Sequence, residues 1–246
     1  MRLKGKTALV TGAASGFGEG IARKFAAEGA QVIVADIAAD AACEIADEIA
    51  GTALVMDVSC ATSVDQALVP LLERGSQVDI LVNNAGITHT KGASEDVSEV
   101  EFDRVYAVNM KSVFLTTRRL VPHFKKRKSG VILNVASTAG VSPRPLLNWY
   151  NCSKGWMITA TKTLAIELAD HGIRVNAINP VAGETPLLKA FMGEDTPQMR
   201  EQFLSTIPLG RFSTPQDMGN AACFLCSDEA SMITGVALNV DGGRCI

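Results

Sequence analysis

The stretch ALVTGAASGFGEGIARKFAAEGA, residues Ala8–Ala30, decides how this chain folds. It opens on a short apolar run of strand length. It then breaks at three closely spaced glycines, Gly12, Gly16 and Gly18. It continues with apolar residues three and four apart, the spacing of a helix face, and Gly29 closes that helix after Phe17. A strand, a glycine-rich turn and a helix in series form a phosphate cradle. Glycine lets the backbone approach a pyrophosphate, and the helix points its free N–H groups and positive dipole end at the same place.

The same alternation runs along the rest of the chain. The sequence predicts strands at Thr7–Thr11, Gln31–Ala35, Thr52–Met56, Asp79–Asn83, Val131–Val135, Arg174–Ile178 and Ala237–Val240, with helical segments between most of them. One such helix is expected over Asp40–Ala50. Strands this continuously apolar are buried on both faces. That predicts an α/β fold: a doubly wound parallel sheet of seven strands with helices on both sides. We read residues 1–246 as one domain. Residues 181–214, inside a proline-rich stretch that holds two short helical patches, break the rhythm and are expected to form a substrate loop over the carboxyl edge.

Composition narrows the function. The 246 residues are 47% apolar and carry a net charge of −3, which argues against nucleic acid as the main partner. No apolar run approaches the roughly 20 residues of a membrane span, and the N-terminus enters a strand at once, so a cytoplasmic protein without membrane contact is expected. The six cysteines read as free thiols of a reducing compartment. Cys223 and Cys226 form C-x-x-C, but without a second pair or a suitable histidine they read as buried residues of a helix. His89, His123 and His171 lack metal-ligand spacing, so no metal is expected. The basic run Phe124–Gly130 reads as a helix end that suits the dipole.

Further residues fall at the expected strand ends. Asp36 follows the second strand, where a carboxylate meets an adenosine ribose and repels a 2′-phosphate; no Lys or Arg flanks it, so NAD is favoured over NADP. Asp57 and Val58 follow the third strand and either meet an adenine or cap the next helix. Asn83, Asn84, Ala85 and Gly86 make a second tight turn after the fourth. Tyr150 and Lys154 are four apart, on one helical face and about 6 Å apart along its axis.

These motifs together resemble the short-chain dehydrogenase/reductase family of the single-domain type. TGAASGFG (Thr11–Gly18) is similar to its T-G-x-x-x-G-x-G, and NNAG (Asn83–Gly86) to its turn after the fourth strand. Asn109 in YAVNM, Ser137 in NVASTAG, and Tyr150 with Lys154 in YNCSK match its four catalytic positions. The likeness runs from about Leu3 to the final LNVDGGRCI. It implies a sheet in the order 3-2-1-4-5-6-7 and a homotetramer. It also implies that Thr11, Gly12, Ser15, Gly16, Phe17 and Gly18 hold the pyrophosphate and its ribose, with Asp36, Asp57, Val58, Asn84, Ala85 and Gly86 completing the cofactor site. Pro180, Gly183 and Thr185 would close it, although Val181 replaces the glycine that commonly follows the proline, and Gly183 replaces a bulkier apolar residue.

The chemistry implied is hydride transfer between NAD and a secondary alcohol or ketone of polyol, sugar or hydroxy-acid type. Tyr150 would be the general acid/base, Ser137 the orienting hydrogen-bond donor, Lys154 the tuning charge and ribose ligand, and Asn109 the holder of a water. A free phenol titrates near 10. A unit charge about 5 Å away at an effective dielectric of about 20 contributes roughly 3 kcal/mol, so Lys154 is expected to supply most of the acidity. His89, Arg144, Asn148 and Trp149 are the candidate substrate contacts. The alternatives are an NADPH-dependent 3-oxoacyl-acyl-carrier-protein reductase, against which Asp36 argues, and a non-catalytic dinucleotide sensor, against which the intact catalytic set argues.

Overall fold

The computed structural model describes residues 1–246. Seven parallel strands form one sheet: β1 (Thr7–Thr11), β2 (Gln31–Asp36), β3 (Thr52–Val55), β4 (Ile80–Asn83), β5 (Gly130–Val135), β6 (Ile173–Pro180) and β7 (Ala237–Val240). Each lies within two residues of its expected bounds. Their order is β3-β2-β1-β4-β5-β6-β7, a Rossmann-type doubly wound sheet.

Successive side chains of a strand point to opposite faces, and here both faces are apolar. Ala8 and Val10 of β1 enter one core with Ile21 and Phe25 of helix α1 (Gly16–Ala27), Ile45 of α2 (Ala39–Glu48) and Met218 of α9 (Pro215–Cys226). Leu9, between them, enters the opposite core. There it joins Leu68 of α3 (Ala61–Glu73), Phe124 of α5 (Ser112–Arg127) and Leu168 of α6 (Asn148–Leu168). Cys223 and Cys226 are buried in α9, and all six cysteines are unpaired. The basic run ends α5, with Lys128 in the left-handed conformation at its C-cap. No helix is long and apolar enough to cross a membrane.

Two departures from regularity shape the functional edge. Between α4 (Glu99–Tyr106) and α5 the helix widens into a π turn, Ala107–Lys111, a feature frequent at functional sites. Beyond β6 the chain makes its excursion, with α7 (Leu188–Met192) and α8 (Pro197–Leu204). This excursion has its own small core of Val181, Leu188, Met192, Ile207 and Phe212, and a parallel bridge between Gly183 and Ser213 ties its two ends. Because β4 returns beside β1 after β3 has reached the sheet edge, the connections diverge between β1 and β4. A crevice opens there at the carboxyl ends of the strands.

Candidate active site

A cleft of about 500 Å³ occupies that crevice. Its wall is built strand end by strand end. Gly12, Ser15, Gly16 and Phe17 come from the turn after β1, Asp36 from β2, and Asp57 and Val58 from beyond β3. Asn84, Ala85 and Gly86 follow β4, Ser137 follows β5, and Pro180, Gly183 and Thr185 lie at the end of β6 and just beyond it. Tyr150 and Lys154 reach in from α6.

The glycine turn is a cradle that a side chain would fill. A Cβ on Gly18 would stand 2.0 Å from the Gly12 carbonyl oxygen, so Gly18 serves by letting two backbone segments touch and does not line the cleft. Thr11, expected as a direct cofactor ligand, is likewise placed behind the wall and is 2% exposed. Its hydroxyl accepts the amides of Asn84 (3.1 Å) and Ala85 (3.2 Å), joining the first turn to the second. Asn84 returns the tie, donating from Nδ2 to the carbonyls of Thr11 and Gly12, each at 2.9 Å. Ser15 is the N-cap of α1, but its side chain makes no capping hydrogen bond and stays free for the cleft.

Asp36 accepts the amides of Ala14 and Ala38, each at 3.0 Å, which fixes its carboxylate at the end of β2. Asp57 both lines the cleft and accepts from the Ser59 amide and hydroxyl, at 2.9 and 2.6 Å. The departure at Val181 and Gly183 has a packing account. Val181 is buried in the excursion's own core, whereas a Cβ on Gly183 would lie 2.3 Å from the Phe17 ring. The bulk missing at Gly183 is filled by the aromatic ring of the first turn.

At the other end of the cleft, Ser137 Oγ accepts the Ala139 amide at 3.1 Å, which orients the hydroxyl and leaves its proton to donate. Tyr150 and Lys154 lie on one face of α6 and are both buried, with the Lys154 ammonium 5.8 Å from the Tyr150 ring centroid. Lys154 Nζ donates to the Val135 carbonyl at 2.9 Å. Burial pushes the Lys154 ammonium down to about 8. It pushes the Tyr150 phenol up to about 12, against the pull of the nearby Ser137 hydroxyl and of the Arg144 charge. This corrects the expected electrostatics. Desolvation dominates both groups, and Lys154, although 5.8 Å from the phenol ring, gives its hydrogen bond to the Val135 carbonyl, while the Arg144 charge also draws the phenol down.

Asn109 is fully buried in the π turn and does not line the cleft. Its side chain is committed to Ile87 N and O (2.9 Å each) and to Ser153 Oγ (3.0 Å), so it fastens the loop after β4 to the catalytic helix. Of the four expected substrate contacts, only Arg144 lines the cleft. His89 is 2% exposed, with Nδ1 on the Thr90 carbonyl. Asn148 Oδ1 faces Cys152 Sγ at 3.8 Å. Trp149 stacks edge-on with Phe102 (5.3 Å) and donates to the Ser94 carbonyl. Sequence reasoning missed Leu147, Phe191 and Phe203, which do line the cleft. The signal for the two phenylalanines was their place in the short apolar patches of the excursion.

Comparison with known proteins agrees with this geometry. A family model described as enoyl-(acyl carrier protein) reductase matches residues 12–244. The chain is 52% identical, over the whole of both proteins, to a 4-formylbenzenesulfonate dehydrogenase of Comamonas testosteroni. It is 40% identical, again over the whole of both, to a 3-oxoacyl-[acyl-carrier-protein] reductase of Thermotoga maritima. Among solved structures, a 3-ketoacyl-(acyl-carrier-protein) reductase from Brucella melitensis complexed with NADH matches with a TM-score of 0.93 and 52% identity, covering 99% of this chain and all of that one. The chain therefore belongs to the short-chain dehydrogenase/reductase family, nicotinamide-dependent oxidoreductases acting on CH–OH groups.

Proposed function

We propose that this enzyme uses NAD to interconvert small secondary alcohols and their ketones, of polyol, sugar or hydroxy-acid type. The observation that carries the reading is the convergence of Ser137, Tyr150 and Lys154 in the cleft that also holds the glycine turn and Asp36. The cradle supports a dinucleotide. The first turn and the N-terminus of α1 would take the pyrophosphate. Asp36 would take the adenosine ribose, and Asp57 and Val58 the adenine. Asn84, Ala85, Gly86, Pro180, Gly183 and Thr185 would line the nicotinamide half, where Lys154 would hold the ribose. NAD, when bound, accepts or supplies the hydride.

The preference for NAD over NADP rests on where the cleft's cations are. They are Arg144 and Lys154, both on the β5–α6 side. Asp36 ends β2, three strand spacings from β5, or roughly 14 Å. A 2′-phosphate beside Asp36 would meet a carboxylate and no lysine or arginine of the cleft wall.

The chain supplies the proton and the orientation. Ser137 donates to the substrate oxygen and holds it beside the phenol. Tyr150, protonated at neutral pH, donates to that oxygen as a ketone is reduced and recovers the proton in oxidation. Asn109 positions the helix through Ser153. The chain works as a single unit with residues 181–214 as its substrate loop. A homotetramer is proposed from the family likeness, and the exposed Phe114 of α5 and Ile166 of α6 are apolar side chains that such an assembly could cover. The six free thiols support a cytoplasmic setting.

A second reading, a 3-oxoacyl-acyl-carrier-protein reductase, is favoured by the names of two of the relatives above. The relative named for 4-formylbenzenesulfonate supports a small free carbonyl compound instead. The test is a panel of secondary alcohols, polyols and hydroxy acids with NAD+ or NADP+, and of acyl thioesters with NADH or NADPH, followed by nicotinamide absorbance. Turnover with NAD+ is expected, and Tyr150→Phe should lower it at least 100-fold while NADH still binds. Wild-type rates in Tyr150→Phe would overturn the acid/base assignment. Activity on acyl thioesters alone would establish the second reading.

A further inference from the structure

Arg144 lies in the turn between β5 and α6, flanked by Pro143 and Pro145. Its own carbonyl accepts Asn151 Nδ2 at 2.7 Å, so the turn is pinned to the catalytic helix. The guanidinium stacks over Phe203 of α8, 4.7 Å from the ring centroid. It enters none of the ion pairs in the molecule and donates to no carbonyl within it.

The side chain is partly exposed, through the cleft it lines. Arg174, also partly exposed, donates to the carbonyls of Leu225, Ile233 and Ser227. Arg127 pairs with Asp79, and Arg119 with Asp65. Arg144 has no such partner, and burial and the like charge of Arg244 both act against its charged form. A cation open to the cleft and unpaired within the chain is free to meet an anion there.

The surroundings say what the anion is attached to. From the phenol to the guanidinium the cleft wall is aromatic and apolar. Tyr150 lies 5.2 Å from the Phe191 ring, Leu147 is buried beneath, and Phe203 backs Arg144. The reacting oxygen belongs at Ser137 and Tyr150, so a charge at Arg144 would lie across this aromatic and apolar wall from it.

We infer that the substrate is an aryl carbinol or its carbonyl partner bearing a carboxylate or sulfonate on the far side of the ring, and that Arg144 is the residue that selects that charge. This inference rests on the catalytic reading above and narrows its hydroxy-acid type to an aryl one. Phe203 and Phe191 both belong to the excursion over residues 181–214, so the ring is enclosed by the same segment that stacks on Arg144.

The probes are 4-(1-hydroxyethyl)benzoate and 1-phenylethanol, which share a carbinol and a ring and differ in one charge. Oxidation with NAD+ is followed by NADH absorbance, with each variant's NADH affinity and melting temperature measured to confirm its fold. The wild type should favour the benzoate at least tenfold in kcat/KM, through KM more than kcat. Arg144→Gln should bring the ratio near one, and Arg144→Lys should restore part of it. A wild-type ratio near one, or a ratio unmoved by Arg144→Gln, overturns the inference while leaving the catalytic reading intact. Failure of both alcohols and of their ketones in a protein that oxidises another member of the alcohol panel overturns the inference alone, whereas failure of the whole panel in a protein that binds NADH overturns the two together.

Discussion

Replacing Gly18 with alanine tests whether the cradle works through backbone shape. The new Cβ would lie 2.0 Å from the Gly12 carbonyl oxygen and 2.4 Å from Asn84 Nδ2. The first obstacle is backbone and cannot rotate aside, so the β1–α1 turn must open by roughly 1.4 Å to reach an ordinary contact. Asn84 Nδ2 holds the carbonyls of both Thr11 and Gly12, and opening the turn breaks at least one of these bonds. Overpacking at about 2 kcal/mol and a lost hydrogen bond at about 1 kcal/mol give about 3 kcal/mol. For a chain of this size that lowers Tm by roughly 6–12 °C. NADH affinity, read by fluorescence titration, should weaken more than tenfold, because the displaced turn is the one that faces the pyrophosphate. Gly155→Ala is the contrast. It lies in α6 beside Lys154, and its Cβ would meet only the Gly140 oxygen at 3.7 Å. Helix propensity should then stabilise the chain by about 0.5–1 kcal/mol. A Gly18→Ala protein that melts within 2 °C of the wild type (roughly 1 kcal/mol or less by the same conversion) and binds NADH as well would refute the reasoning.

Carbonyl reduction should be level through neutral pH and then fall about tenfold per pH unit above about 8, because burial depresses the Lys154 ammonium and its charge is lost as pH rises through that value. Tyr150, raised to about 12, keeps its proton across the same range and does not contribute to the fall. Initial rates of NADH consumption from pH 6 to 10 check this, and a level profile to pH 10 contradicts it. Asp79→Ala should lower stability at pH 7 by about 2 kcal/mol, or roughly 4–8 °C in Tm. Its carboxylate ties the Thr7 amide (2.8 Å) and Gln77 to Arg127, and Arg127's partial exposure keeps the loss below that of a sealed pair. Burial pushes the Asp79 carboxyl up, but Arg127 and the Thr7 amide outweigh it and hold the carboxyl below its usual range. Its contribution is therefore present at neutral pH and disappears as pH falls through that lowered value, so denaturant titrations of wild type and variant should converge in acid.

The strands, the glycine turn, and the pairing of Tyr150 with Lys154 were legible in the sequence, because each is a local pattern: period two, a break, and a four-residue step on one helix. The expected strand bounds needed adjustment by no more than two residues. What only the tertiary structure decided is which polar residues face the cleft, and with what electrostatics. Thr11 and Asn109 stand in the right motifs, yet both are turned to fasten neighbouring segments. His89, Asn148 and Trp149 lie close in sequence to cleft residues but point elsewhere. Phe191 and Phe203 reach the cleft from far downstream. The sign of the Tyr150 shift follows the same division. A neighbour four residues away can be counted from the sequence, but desolvation sums over every atom packed around the phenol, and most of those atoms arrive from elements remote along the chain.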